Sequence, residues 1–331
     1  MQGSLLLDIQ GTWLTAEDRH ILRQPQVCGV ILFARNIEAP RQVRELCAAI
    51  RQVRDDLIIT VDQEGGRVQR LRQDFIRLPA MGSFENKTNA AELAKACGYL
   101  MATEVLNVGI DLSFAPVLDL NYQRSKVIGL RSFSMQPGTV INLAGYFIEG
   151  MHSANMPAVG KHFPGHGWAE ADSHVAIPVD ERNFEQIQQQ DLKPFVALHS
   201  KLAGVMPAHV IYPEIDSQPA GFSRVWLQQI LRQQIGFKGV VFSDDLSMAG
   251  AHVVGDAAAR IEAAISAGCD VGLVCNDRAS AELALSRLQQ LAVLPTQKTQ
   301  LLRVRQLTNC AYKENPRFLA AKQCLAQAQL I

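Results

Sequence analysis

Eight short, nearly all-apolar runs recur along the 331-residue chain, separated by stretches with helical spacing. The runs are LLLDI (5–9), GVILFA (29–34), LIITVD (57–62), LSFAPV (112–117), PAVGKH (157–162), AGVMPAH (203–209), GVVFSDD (239–245) and VGLVCND (271–277). Such runs, apolar at every position rather than at every second one, read as strands covered on both faces. Helical spacing marks 39–54, 90–107 and 255–268, the last ending on Gly268, a residue suited to a left-handed stop. The opening unit is the weakest, with only TAEDRHILR (15–23) for its helix. Strands that alternate with helices pair in parallel, because parallel neighbours need a crossover element. A closed (β/α)₈ barrel and an open doubly wound sheet both satisfy that pattern. Eight units in roughly 280 residues match the ~250 typical of the barrel. No G-x-G-x-x-G follows any run, which weakens a dinucleotide-binding open sheet. The expected fold is therefore α/β: one TIM-type barrel domain over residues 1–331, with a C-terminal helical extension.

Composition narrows the function classes. Hydrophobic residues make up 48% and charged residues 19%, as in a globular protein with a large core. Thirty-two basic side chains balance 32 acidic ones, so nothing favours a grip on nucleic acid or an anionic membrane surface. The basic stretch RVQRLRQDFIR (67–77) lacks the interleaved aromatic residues that base stacking needs. MQGSLLLDIQ has no basic region before its three leucines, unlike a signal peptide, and no run approaches membrane-spanning length. Seven scattered cysteines with no C-x-x-C read as reduced residues of a cytoplasmic protein.

In a parallel barrel every strand C-terminus lies on one rim, so the polar residues that end the runs converge on one mouth. These are Asp8, Arg35-Asn36, Asp62, Asp119, Lys161-His162, His209, Asp244-Asp245 and Asn276-Asp277. Helix capping explains an Asp or Asn in such a place, and it is the reading preferred for Asp8, Asn36 and Asn276-Asp277. Capping does not explain Lys161, His162 or His209.

Three stretches carry chemistry. In KHFPGHGWAEADSH (161–174), His162 and His166 have metal-ligand spacing, but Pro164, Gly165 and Gly167 oppose the helix that would align them. Within the same stretch, Asp172 and His174 are two apart; in an extended segment they share a side, where the carboxylate either orients the imidazole for proton transfer or merely ties the loop together. FSDDL (242–246) offers either a helix cap or a carboxylate poised to attack an electrophilic carbon. VDQEGGRVQR (61–70) places Asp62 with Arg67 and Arg70, and Arg131 follows the fourth run. Carboxylates and guanidinium groups together clamp adjacent sugar hydroxyls, or else form an ordinary surface ion pair.

KHFPGHG with ADSH, FSDDLSM, VDQEGGRVQR, LSFAPVLDL and MPAHVIYP, in their order along the chain, resemble bacterial β-N-acetylglucosaminidases of glycoside hydrolase family 3. The narrower likeness is to the single-domain cytoplasmic NagZ type. It runs from the first strand through VGLVCNDR (271–278), and the last 50 or so residues add only helical pattern. The resemblance implies a (β/α)₈ barrel and hydrolysis with retention through a covalent glycosyl-enzyme. It implies Asp244 as nucleophile, His174 as general acid/base and Asp172 as the partner of His174. Asp62, Arg70, Arg131, Lys161 and His162 match positions that bind the N-acetylglucosamine ring. It also implies no metal and no cofactor. The implied partner is a small carbohydrate, a muropeptide carrying N-acetylglucosaminyl-β-1,4-anhydro-N-acetylmuramic acid, handled by a monomer during peptidoglycan recycling.

Overall fold

The structure, a computed structural model, describes residues 1–170, 177–304 and 311–331. Its frame is a set of eight parallel strands: β1 (Ser4–Asp8), β2 (Val27–Leu32), β3 (Ile58–Val61), β4 (Leu112–Ser113), β5 (Val159–Phe163), β6 (Gly204–Pro207), β7 (Val240–Asp245) and β8 (Val271–Val274). Hydrogen-bonded neighbours run β4-β3-β2-β1-β8-β7-β6-β5, which is sequence order around a ring. The two ends meet through a parallel bridge between Val117 and Lys161, with Leu118 N–H donating to Lys161 O at 2.7 Å. Helices surround this nearly closed barrel, as the sequence rhythm anticipates.

The strands form where β-branched and leucine side chains can be buried on both faces. Leu5, Leu6, Leu7, Val30, Ile58, Ile59, Val241 and Phe242 belong to one continuous core. Helix α1 (Ala16–Leu22), short as its pattern implies, is held by a reciprocal cap in which the Thr15 side chain accepts from Asp18 N–H and the Asp18 carboxylate accepts from Thr15 N–H. Helix α2 (Pro40–Val53) begins on a proline, where the missing N–H costs nothing. Helix α3 (Ala90–Asn107) matches its expected range, and the helix Ala257–Ala267 stops at Gly268, whose φ is +127°. Asp277 caps the helix Arg278–Gln290 through Ser280 N–H, as expected.

The other rim residues assigned to capping bond chiefly elsewhere, though Asn36 also accepts from Phe33 N–H at the start of the short turn Ala34–Asn36. Asp8 pairs with Arg35 and accepts from Asn276 N–H. Buried Asn36 donates to the carbonyls of Ile9 and Gly11, and Asn276 accepts from Arg35. These side chains lace neighbouring rim loops together, a job set by tertiary placement rather than by the local helix start.

A C-terminal helix (Pro316–Gln327) packs on α3. Near this contact Glu104 of α3, only 2% exposed, accepts from Ile76 N–H at 2.9 Å. Burial raises its pKa to about 7 against the pull of Ile76 N–H, Lys313 and Tyr312. The folded state therefore binds this proton more tightly than the unfolded chain, and stability is lost as pH climbs from 4.5 through about 7. Glu104→Gln should accordingly gain roughly 2–3 kcal/mol on wild type between about pH 5 and 8, measured by urea unfolding.

Candidate active site

A cavity of about 340 Å³ opens at the C-terminal ends of the barrel strands. That volume suits a single sugar ring better than an extended ligand. One wall is a chain of alternating charges. Lys161, at the end of β5, donates to Asp62 Oδ1 at 2.8 Å and pairs with Glu64 Oε1 at 2.6 Å. Arg131 meets Glu64 with two parallel bonds of 2.8 Å each, and Arg70 stands 3.6 Å from Asp62. Burial alone would lower the Lys161 pKa, but the Asp62 and Glu64 carboxylates override it and raise it. The same competition, won by Arg131 and Lys161, holds Glu64 well below the usual carboxylate range. Lys161, Glu64 and Arg131 stay ionised because their partners are in place.

A second wall is built by Asp119, which is 1% exposed. Its carboxylate accepts from the backbone N–H groups of His162 and His166 and contacts His162 Nδ1 at 2.6 Å. Burial pushes Asp119 upward, yet His162 and His166 together more than offset this and lower its pKa. With Nδ1 engaged by a carboxylate, Nε2 is the edge that His162 leaves for a ligand. The Lys161–His162 peptide is cis, and both side chains line the cavity. His166 also lines it, its pKa lowered to about 4 by burial and then by His162.

At the end of β7 lies Asp244. Burial raises its pKa, but His209, His162, the Asp245 N–H and Lys161 together bring it below the usual aspartate range. It is therefore a carboxylate at neutral pH, facing the cavity. His209, fully buried and stacked on Phe222 at 5.6 Å, places Nε2 3.0 Å from the Asp245 carbonyl. A carbonyl only accepts, so Nε2 carries the proton. Asp245 also borders the cavity, but its Oδ1 is occupied by the N–H groups of Ser247 and Cys275. Burial raises its pKa to about 6. Neither Ser243 nor Asp244 caps a helix: Ser243 Oγ accepts from Leu273 N–H, and Asp244 Oδ1 accepts from Asp245 N–H.

Six of the eight residues singled out from the sequence thus line one cavity: Asp62, Arg70, Arg131, Lys161, His162 and Asp244. Asp172 and His174 lie outside the described residues. Sequence reading passed over Glu64, although it stands inside VDQEGGRVQR, and left Asp119 and His209 as unassigned strand ends. The signal for Glu64 was a lone acid two residues past a strand-end acid, too common a pattern to single out. Among the described residues no group of three His, Cys, Asp or Glu is placed to hold a metal ion. No described helix is long and apolar enough to cross a membrane.

The chain is similar to known proteins over nearly its whole length. The family profile of the glycosyl hydrolase family 3 N-terminal domain matches residues 6–304. A β-hexosaminidase of Pseudomonas aeruginosa is 66% identical over 331 residues, the whole of both chains. A β-hexosaminidase of Idiomarina loihiensis is 57% identical over 283 residues, 84% of this chain and 86% of its own. The crystal structure of NagZ from Neisseria gonorrhoeae, in complex with N-trifluoroacetyl-D-glucosamine, superposes with a TM-score of 0.90 at 40% identity, covering 98% of each chain. With a barrel of this topology and a match across nearly all of it, the chain belongs to glycosyl hydrolase family 3 and is a glycoside hydrolase.

Proposed function

We propose that the chain is a retaining exo-β-N-acetylglucosaminidase. It removes N-acetylglucosamine from the non-reducing end of muropeptides, with or without their peptide, as a cytoplasmic monomer in peptidoglycan recycling. The observation that carries the reading is the ionised Asp244 carboxylate facing a ring-sized cavity whose other walls are a continuous clamp of carboxylate, ammonium, guanidinium and imidazole groups. Such groups match the paired donors and acceptors of a pyranose. The likeness to β-hexosaminidases and to a neisserial structure holding an N-acylated glucosamine supports the choice of sugar.

In the proposed reaction Asp244 attacks the anomeric carbon while His174, hydrogen-bonded by Asp172, protonates the departing oxygen. A water deprotonated by His174 then cleaves the glycosyl-aspartate and releases the sugar with its β configuration. Asp62, Arg70, Arg131, Lys161 and His162 hold the ring so that its anomeric carbon meets Asp244. No step passes through a metal or cofactor.

Asp245 is the rival nucleophile, and its carboxyl is the weaker candidate because backbone donors occupy it and burial favours its neutral form. A mechanism-based fluoro-sugar should label Asp244, as read by peptide mapping, and should still do so in Asp245→Asn. A label on Asp245 would reassign the chemistry. Release of the α-anomer, followed by proton NMR, would overturn retention altogether.

A further inference from the structure

Outside the cavity, a second cluster of buried charges ties together the two chain ends that flank residues 171–176. Arg182 is 9% exposed and bonds Asp180 through Nε at 2.9 Å and through a terminal nitrogen at 2.6 Å. Its other terminal nitrogen reaches Asp191 at 2.7 Å. The same guanidinium stacks on the Trp168 indole, 4.5 Å from the ring centre. Trp168 belongs to the chain upstream of the segment and Arg182 to the chain downstream, so this contact joins the two sides directly.

Both sides are also fixed to one piece of backbone. Upstream, Tyr212 donates its hydroxyl to Gly165 O at 2.6 Å. Downstream, Ile211 N–H donates to Pro178 O at 3.0 Å, and Asp180 N–H donates to Ile211 O at 2.9 Å. Close packing leaves the upstream side no slack, since a Cβ on Gly167 would lie 1.8 Å from Leu120 O. Two buried aspartates and a guanidinium are costly to collect unless their geometry is held. None of this cluster lines the cavity.

We propose that Arg182 and Trp168 are positioning residues, a clasp that fixes the base of the segment bearing Asp172 and His174. This rests on the reading of His174 as the proton donor. If the clasp sets that donor's placement, loosening it slows only reactions that need a protonated leaving group. An activated leaving group departs without help, so its rate reports every other function of the site.

The test compares phenyl and 2,4-dinitrophenyl β-N-acetylglucosaminides on Trp168→Ala, Trp168→Phe and Arg182→Met. The quantity read is kcat/KM, which covers steps up to formation of the glycosyl-enzyme. Trp168→Ala keeps every ion pair of the cluster and so remains folded even where Arg182→Met does not; thermal unfolding monitors both. For Trp168→Ala the phenyl glycoside should lose roughly 10- to 100-fold, part of the 10²–10⁴ a general acid supplies, while the dinitrophenyl glycoside changes by under about threefold. Trp168→Phe should recover most of the loss. Equal losses on the two substrates, or none on either, overturn the clasp while leaving the proposed hydrolase intact. A wild-type protein that cleaves neither glycoside overturns the catalytic reading, and the clasp with it.

Discussion

Asp244→Ala should lower kcat on 4-nitrophenyl β-N-acetylglucosaminide by on the order of 10⁴-fold or more, since a nucleophile acts as a unit with its acid/base partner. KM should change far less, because the clamp of Asp62, Lys161, Glu64 and Arg131 does not involve the lost carboxylate. Circular dichroism and thermal unfolding should show an intact barrel, as among the described residues the Asp244 side chain accepts from the neighbouring Asp245 N–H. The matched β-glucoside should be turned over poorly by wild type, separating recognition of the acylamino group from the polyol clamp. Residual activity within about tenfold of wild type would remove Asp244 from the reaction.

The second large effect is expected at a residue that sequence reading did not choose. Glu64 is 3% exposed and is shared by Arg131 and Lys161. Glu64→Ala strips Arg131 of its bidentate partner and, among the described residues, leaves Lys161 with Asp62 as its carboxylate. An uncompensated buried cation costs about 3–5 kcal/mol, and loss of alignment in the ring clamp costs about 10²-fold or more in kcat/KM. Unfolding in urea and steady-state kinetics on the same preparation read the two losses separately. Glu64→Gln should retain part of the clamp's shape and none of its charge, so it should fall between wild type and Glu64→Ala in both. An Ala variant with unchanged stability and kinetics would show that the two cations are satisfied without it.

The barrel was legible because its information is local and repeated. Each strand announces itself by an unbroken apolar run, and α3 could be bounded because Ala90–Asn107 is rich in Ala, Leu, Met and Glu and has no proline. The convergence of Asp62, Lys161, His162 and Asp244 followed from topology, since parallel strands share a rim. What topology leaves out is which rim groups face each other. Asp8 and Asn36 look like caps in sequence, yet they bind Arg35 and the Ile9–Gly11 backbone, contacts that depend on how adjacent loops cross. Asp119 shows the same limit, since its role comes from two backbone N–H groups more than 40 positions away in the chain. Likeness of motifs supplied the roles; spacing alone left FSDDL balanced between a cap and a nucleophile.

The place where the cylinder closes has a further consequence. Strand β4 is two residues long, and beyond it the seam to β5 rests on Val159 N–H to Ala115 O, Lys161 N–H to Pro116 O and Leu118 N–H to Lys161 O. Lys161 thus stitches the narrowest joint with its main chain while its ammonium group pairs with Asp62 and Glu64 in the pocket wall. Any motion that parted this joint would pull apart the clamp as well. The alignment of the pocket wall and the integrity of the ring are therefore guarded by the same few atoms.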